Sequence, residues 1–446
     1  MSVLTLMGRR LRSNANWAHA DAAGCHCRND VRWVRGVYVL RTIPGTVATS
    51  LQSDPSTGVD VEIWGRIMAA GTCGGIVGKL AGGFLADKLG GKITFAGGLL
   101  LTSVFIGLFA LAGSPWFFAG AFFFALMAKS SGWPAMAKII TRWFPSHEYG
   151  SVWGIISTSS RVGTIIASLA LGALLTDTVG SWRMVMGVAS AIGVVCTLIF
   201  VFTLREAPDV EPVERATDDA LQEPNAAHAL DGTTLGAGVL TFFKSRQFWL
   251  ITASMMGLSI LWDFLGFLPN FLKESFGFDD AKAAMAPSAF PMGSLISVLC
   301  GGFIFDKISR AKMAVVMGLL LAVAGGCLGA FYFMSTQDLT PDAALPYCVG
   351  LLLVFGLCVS PCYYIPMSVF SIEFGGPHSG FLISLLDVFG FAAFAVFSFY
   401  GGTIAKNYGW STFMIVLIGI SVWSLLATVL FLLGEARRQH KAGEVA

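Results

Sequence analysis

Apolar residues along this chain are grouped into stretches of about 20 residues that are separated by short polar corners. A helix of that length crosses the roughly 30 Å hydrocarbon core of a bilayer. We therefore expect an all-α, multi-pass membrane protein. The pattern predicts eleven membrane-spanning helices, at residues 64–83, 93–113, 116–140, 151–175, 183–203, 247–271, 284–304, 313–334, 346–368, 380–402 and 411–433.

One polar corner occurs twice. The heptapeptide GGFLADK, which begins at Gly82, returns as GGFIFDK, which begins at Gly301, so that Asp87 and Asp306 stand 219 positions apart. Each copy joins two apolar stretches at the same place in its half of the chain. Such a repeat is typical of transporters built from two homologous bundles.

In the second half, two spans precede the repeated corner, whereas the first half has only the span at 64–83 before its corner. The repeat therefore requires one more helix ahead of residue 64. The apolar stretch found there, residues 36–51, is shorter than a span and carries Arg41 and Pro44. We predict a weak or truncated first helix, which gives two bundles of six helices. An incorrectly assigned N-terminal segment would produce the same pattern.

Composition also requires a membrane, because 55% of the residues are hydrophobic and only 13% are charged, against roughly a quarter in soluble proteins. The corners after spans two, four, eight and twelve are basic, which predicts that they and both termini are cytoplasmic; whether the membrane is the plasma membrane or that of an organelle stays open. The expected organisation is a tail at 1–35, a bundle at 36–203, a polar linker at 204–246, a second bundle at 247–433 and a tail at 434–446.

Nothing in the sequence indicates an enzyme, since it contains no nucleophile elbow, phosphate-binding loop or set of metal ligands. The cluster Cys25-His26-Cys27 has no second ligand pair at a useful spacing. We expect a monomer in the lipid bilayer that uses no cofactor and no metal and binds no nucleic acid.

The corner from Gly83 to Lys92 has the form G-x-x-x-D-K-x-G-G-K. Together with twelve spans and a long middle loop, it resembles the major facilitator superfamily over residues 36–433. The resemblance implies that fold and alternating access. It also implies that the corners act as latches, through Gly83, Asp87, Lys88, Gly302, Asp306 and Lys307.

Narrower features are similar to the organophosphate:phosphate antiporters and the related sugar-phosphate exchangers. They include the Ser131-Gly132-Trp133-Pro134 run and the Leu385-Leu386-Asp387 run. The spacing of Tyr38 and Arg41 is similar to a first-helix motif whose arginine grips phosphate in that family, a task that suits the planar guanidinium. The second phosphate arginine of the family is absent, because Leu261 takes its place.

An ionisable side chain at membrane depth costs about 3 kcal/mol on insertion scales and normally faces a cavity. Here the first half supplies the cations and the second half the acids. Internal ion pairs across the halves, Arg161 or Lys129 with Asp263 or Asp387, are an equal alternative to substrate binding. The predicted substrate-binding residues are Tyr38, Arg41, Lys79, Lys129, Arg161, Asp263 and Asp387.

These features predict a secondary active carrier of a small organic anion, with sugar phosphate exchanged for phosphate as one candidate. Phosphate or a proton is the expected coupling ion. A proton-coupled symporter of a carboxylate or other small polar solute fits the same charges. A receptor with transporter architecture that binds its solute without transport is a third candidate, which the unstructured linker and short termini make less favourable.

Overall fold

The structure is a computed structural model that describes residues 45–143, 149–175, 181–203, 230, 233–305, 308–375 and 378–443. These residues form helices joined by short connections, and no strand occurs among them. The predicted all-α fold is confirmed.

Within the described residues, the first half of the chain provides seven helices. They are α1 (Ala48–Ser53), α2 (Val61–Leu89), α3 (Gly91–Leu111), α4 (Pro115–Ser130), α5 (Gly132–Trp143), α6 (Tyr149–Ala173) and α7 (Trp182–Thr203).

The described part of the second half provides eight helices, and the short 3-10 turns Phe264–Gly266 and Ala286–Ser288 connect four of them in pairs. The helices are α8 (Leu235–Lys244), α9 (Arg246–Asp263), α10 (Leu268–Phe276), α11 (Asp280–Met285), α12 (Ala289–Phe305), α13 (Arg310–Met334), α14 (Pro341–Gly375) and α15 (Ser379–Gly443).

Local sequence explains where several helices begin and end. The Asp60 side chain accepts a hydrogen bond from the Ile63 N–H and caps α2, as preferred N-cap residues do. Gly90 (φ 88°) makes the turn between α2 and α3, in a conformation that other residues rarely adopt. Gly409 (φ 79°) divides α15 into two arms, 379–408 and 410–443.

Each of the eleven predicted spans coincides with helix, but three are interrupted. The span at 116–140 breaks at Ser131, the span at 247–271 breaks after Asp263, and the span at 284–304 contains the 3-10 turn Ala286–Ser288. Of the predicted first helix at 36–51, only 45–51 lies within the described residues, and α1 begins there and continues to Ser53. The stretch predicted as a linker includes α8, and the domain boundaries stay predictions.

The helices present an apolar surface to their surroundings. Among the described residues, eight helical stretches are long and apolar enough to cross a membrane. The last of them, Ser379–Arg438, contains the break at Gly409 and so provides two crossings. Large side chains such as Trp116 and Phe202 are exposed on the outside, where lipid rather than water suits them.

Glycines bring paired helices into contact within each half. A methyl group at Gly74 on α2 would lie only 2.0 Å from the Phe123 carbonyl oxygen on α4, and one at Gly293 on α12 only 1.9 Å from the Leu353 oxygen on α14. Such backbone approach requires glycine. Gly74 and Gly293 are 219 positions apart, the same offset as the corner aspartates. The two bundles therefore repeat the same packing.

The two halves meet closely at the face opposite the corners, which we call the opposite face. There the Trp64 indole N–H donates to the Gly266 oxygen at 2.9 Å, and Ser50 donates to Asp280 at 2.9 Å. A methyl group at Gly65 would lie 2.4 Å from the Ser398 oxygen. These contacts hold the halves closed at the opposite face.

Candidate functional site

Arg161 lies at the centre of the molecule, between the two halves. It is in the middle of α6, and its side chain is 4% exposed. Its Nε donates to Ser294 Oγ on α12 at 2.8 Å, and its Nη1 donates to the Ser157 oxygen one turn earlier at 2.7 Å. These hydrogen bonds use two of the five N–H donors of a guanidinium. Arg161 therefore retains hydrogen-bonding capacity for an anion.

A cluster of aromatic side chains of the second half contacts this arginine through Tyr364. The Arg161 Cζ lies 4.8 Å from the centre of the Tyr364 ring, within cation–π range. The Trp262 ring lies 5.4 Å from Tyr363 and 5.5 Å from Tyr364. Rigid rings beside a fixed cation are typical of small-molecule sites.

Lys79 and Asp387 form an ion pair that joins the halves. Lys79 extends from α2 and Asp387 from the first arm of α15, and their side chains are only 16% and 17% exposed. The Lys79 Nζ also lies 4.4 Å from the Phe391 ring centre. An ion pair across the halves was one predicted alternative, but its cation is Lys79, which the prediction did not include. Arg161 instead contacts neutral hydroxyl, carbonyl and aromatic groups.

A charged side chain of each half contacts the other half, and the two contacts are arranged symmetrically. Arg161 on α6 reaches α12, whereas Asp387 on α15 reaches α2. Gly74 and Gly293 place α2 and α12 at equivalent positions of the two bundles. Each half therefore directs one membrane-depth charge, of opposite sign, at the same helix of the other half.

Lys129 and Asp263 both stand where a helix is interrupted. Lys129 is in the last turn of α4, one of the favourable places for a cation because of the helix dipole. Asp263 ends α9 immediately before the 3-10 turn. Asp263 directly follows Trp262, whose ring lies 5.4 Å from that of Tyr363, so this acid borders the aromatic rings.

The first corner is held by contacts within its own half. Lys138 on α5 donates to the Asp87 carboxylate at 3.2 Å and to the Asp87 oxygen at 3.1 Å, and the Lys88 Nζ lies 4.4 Å from the Phe84 ring centre. A methyl group at Gly83 would meet nothing within 4 Å, whereas one at neighbouring Gly82 would lie 2.6 Å from Ser131 Cα. The close approach at this corner is therefore made by Gly82 and not by Gly83.

Other predicted residues can be placed only in part. Gly302 lies in the backbone of α12. Tyr38, Arg41, Asp306 and Lys307 lie outside the described residues, so their roles stay predictions.

Two serines belong to this site and were not predicted. Ser294 Oγ lies 2.8 Å from Ser360 Oγ on α14 as well as accepting from Arg161. Both serines are fully buried. A single hydroxyl in an apolar helix carries no distinctive sequence signal, although Ser294 follows Gly293, whose equivalence to Gly74 the repeat offset reveals.

The site's other chemistry is limited. Within the part of the chain that the structure describes, no group of three or more His, Cys, Asp or Glu side chains could hold a metal ion.

Outside the spans, hydrogen bonds from the Ser56 hydroxyl and the Trp182 indole hold the pKa of Asp54 below its usual value. Asp54 therefore stays ionised at the opposite face at neutral pH.

Comparison with known proteins gives one family. The family model described as Major Facilitator Superfamily matches residues 37–370 and 264–446. The chain is 28% identical to a probable sulfoacetate transporter, SauU, of Cupriavidus necator, over 59% of this chain and 61% of that protein. It is 26% identical to a probable hexose phosphate transport protein of Chlamydia trachomatis, over 80% and 79%.

Two further matches extend the comparison. The chain is 27% identical to a hexuronate transporter of Escherichia coli, over 66% of this chain and 69% of that protein. The crystal structure of the nucleoside transporter NupG superposes with a TM-score of 0.68 at 18% identity, covering 91% of this chain and 98% of that one. The structural likeness concerns the fold.

Proposed function

Because the chain belongs to the Major Facilitator Superfamily, we propose that it is a secondary active carrier of a small organic anion, which it exchanges across the membrane by alternating access. A sugar phosphate, exchanged for inorganic phosphate, is the first candidate. Arg161 is the residue that we propose to bind the anionic group.

The observation that carries this proposal is the environment of Arg161. A buried guanidinium is unfavourable unless an anion or several hydrogen bonds compensate its charge. Here a serine hydroxyl, a backbone oxygen and the Tyr364 ring provide partial compensation from neutral groups. A bound phosphate or carboxylate would complete it through two parallel hydrogen bonds.

The relatives support an anionic substrate. Their names specify sulfoacetate, hexose phosphate and hexuronate as the solutes that those proteins carry. These solutes differ in size and in the number of hydroxyl groups, and they share a negative charge at neutral pH. The negative charge of the substrate is therefore the main element of the proposal for this chain, and the sugar is the secondary one.

The closed opposite face is consistent with a carrier that works by alternating access. We propose that the corners and both termini are cytoplasmic, in which case the halves are closed toward the outside. Rocking of one bundle against the other would separate Trp64 from Gly266 and open the site to the outside. The Asp87–Lys138 contact would keep α2 and α5 together within the first half during this motion.

The Lys79–Asp387 pair favours proton-coupled symport as a second candidate. A partly buried carboxylate that is paired with a lysine is released when it takes up a proton, and Lys79 then becomes available to an anion. In an exchanger, a substrate anion would compete directly with Asp387 for the same lysine. Both mechanisms place Lys79 in the cavity with Arg161, and Arg41 stays a predicted third cation.

The experiment is counterflow in proteoliposomes loaded in turn with phosphate, glucose 6-phosphate, glucuronate and sulfoacetate. We expect accumulation of at least one labelled anion by the wild type and a loss of at least ten-fold in Arg161→Gln, with partial retention in Arg161→Lys because only the charge remains. Proton coupling would appear as stimulation by an imposed pH gradient.

Arg66→Gln is the matched control. Arg66 is another arginine of the first half, on α2, but its side chain is 53% exposed and pairs with Glu62 on the surface, so we expect unchanged counterflow. Saturable anion binding without exchange would favour the receptor. Normal counterflow in Arg161→Gln would contradict the assignment of Arg161.

A further inference from the structure

A second cavity lies between the halves at the opposite face, away from Arg161. Its volume is about 360 Å³, which is within the range of small-molecule sites. α1 and the start of α2 contribute one side and α10 contributes the other. Its lining includes Thr49, Gln52, Asp60, Asn270, Lys273 and Glu274.

Several polar groups that line this cavity are buried without a partner. The Asn270 side chain is 1% exposed, and neither its amide nitrogen nor its oxygen has a hydrogen-bond partner among the described residues. The same holds for the Thr49 hydroxyl, at 2% exposure, and for the Gln52 amide nitrogen. Buried amides and hydroxyls are nearly always hydrogen-bonded in folded proteins. The wall of the cavity therefore contains side chains with unused donors and acceptors.

The charged groups at the cavity are already compensated. Lys273 contacts Asp280 at 2.6 Å, Asp60 pairs with Lys406 at 2.8 Å, and the Glu274 carboxylate accepts from the Trp410 indole at 2.9 Å. The groups left over are neutral amides and a hydroxyl. In this respect the cavity differs from the Arg161 site, where a cation dominates.

The unused groups have the chemistry of a hydroxyl-binding site. An alcohol both donates and accepts, and a side-chain amide offers donors beside an acceptor, so the two form paired hydrogen bonds. Asn270 offers both kinds of atom, Gln52 adds a donor and Thr49 can serve in either role. A solute with several adjacent hydroxyls matches this set better than a compact anion does.

We propose that this cavity is a second binding site, which takes the hydroxyl groups of a polyhydroxylated solute. The proposal deepens the proposed function and rests on it in one respect, namely that a solute crossing between the halves passes this cavity. It implies that the transported anion carries a sugar or polyol portion. A sugar phosphate or sugar acid would use the site, and a hydroxyl-free anion would not.

The direct test is equilibrium binding of radiolabelled glucose to the purified full-length protein. We expect saturable binding to the wild type that is at least ten-fold weaker in Asn270→Leu and several-fold weaker in Thr49→Val, which exchanges a hydroxyl for a methyl at nearly constant shape. Asn407→Leu replaces an exposed amide at the same face and should bind like the wild type. If Asn270→Leu does not fold, Thr49→Val alone decides.

Three results would overturn the proposal: no saturable glucose binding by the wild type, binding that Asn270→Leu and Thr49→Val leave unchanged, or the same loss in Asn407→Leu. An ordered water cluster as the sole occupant would give the first of these results.

A transport assay is the second part of the test. It distinguishes binding of a free polyol from binding of the sugar portion of the transported substrate. In Thr49→Val we expect a raised KM for glucose 6-phosphate supplied from the opposite face, with phosphate:phosphate exchange unchanged. Equal loss of both reactions would assign Thr49 to closure of the halves and contradict the binding role. If the wild type exchanges neither anion, the proposed function fails, while glucose binding still decides whether the second site exists.

Discussion

Gly65→Ala is expected to open the opposite face. Gly65 is on α2, where a methyl group would lie 2.4 Å from the Ser398 oxygen and 3.1 Å from the Gly402 nitrogen on α15 of the other half. Those are backbone atoms, which cannot rotate out of the way as the end of a side chain can. The added carbon can be accommodated only if the two halves move apart.

The size of the effect follows from the overlap. Ordinary contact begins at about 3.4 Å, so the helices must separate locally by about 1 Å. Overpacking of this kind costs about 1–3 kcal/mol, which is roughly a 5- to 150-fold change in the ratio of the two states. Alanine also favours the helix over glycine by about 1 kcal/mol, but this gain applies equally to both states because α2 is helical in each.

The assay is alkylation of a reporter cysteine at the opposite face by a membrane-impermeant maleimide. Val59→Cys places the thiol at a position that is 5% exposed in the closed arrangement. The exposed Cys73 and Cys300 are replaced by serine to lower the background. We expect Gly65→Ala to raise the alkylation rate at least five-fold.

Gly83→Ala is the matched control for this prediction. It adds the same methyl group to the same helix, at a position where nothing lies within 4 Å, so the alkylation rate should not change. An unchanged rate in Gly65→Ala, or an equal rise in both variants, would refute the inference that close packing at Gly65 holds the halves together.

Two further predictions concern charges that join separate parts of the fold. Asp387→Asn and Lys79→Gln should each lower the free energy of unfolding by about 3 kcal/mol, near the lower limit for breaking a buried ion pair. The double variant should be more stable than either single variant. Additive losses in the thermal unfolding midpoint would contradict coupling between the two residues. Because the pKa of Asp54 is lowered by hydrogen bonds from Ser56 and Trp182, its stabilising contribution is present above about pH 4 and lost below it. The stability difference between the wild type and Trp182→Phe should therefore be constant from pH 5 to 8 and shrink under more acidic conditions, whereas a difference that varies between pH 5 and 8 would point to another group.

The helices were predictable from the sequence because a bilayer imposes a length and a polarity on each of them. The interruptions at Ser131, Phe264–Gly266 and Ala286–Ser288 were not, since one to three residues outside the α-helix leave the hydropathy of a span almost unchanged. The repeated corner predicted two similar bundles. The 219-residue offset between Gly74 and Gly293 shows that the same offset extends into the membrane.

The candidate site was predictable by residue type but not by partner. Lys79, Arg161 and Asp387 were identified because charges are costly at membrane depth. Which of them would meet depends on the register of α2 against α15, and Lys79 and Asp387 are 308 positions apart. No local pattern encodes that register, so the Lys79–Asp387 pair could be found only in three dimensions.

The neutral side chains around Arg161 were the part of the site that could least be predicted from the sequence. Ser294, Ser360 and Tyr364 lie in apolar helices, where serine and tyrosine are common and usually serve packing. They acquire meaning only from their positions around Arg161. The unpartnered Asn270 and Thr49 are similar cases, because burial without a hydrogen bond is a property of the folded chain.

Phosphate efflux from preloaded proteoliposomes tests anion exchange through Arg161 most directly. Labelled phosphate should leave wild-type proteoliposomes rapidly only when glucose 6-phosphate or another accepted anion is present outside, and this stimulation should be lost in Arg161→Gln while Arg66→Gln behaves like the wild type. Efflux that ignores the external anion, or stimulation that survives in Arg161→Gln, would contradict an exchanger that binds its substrate at this arginine.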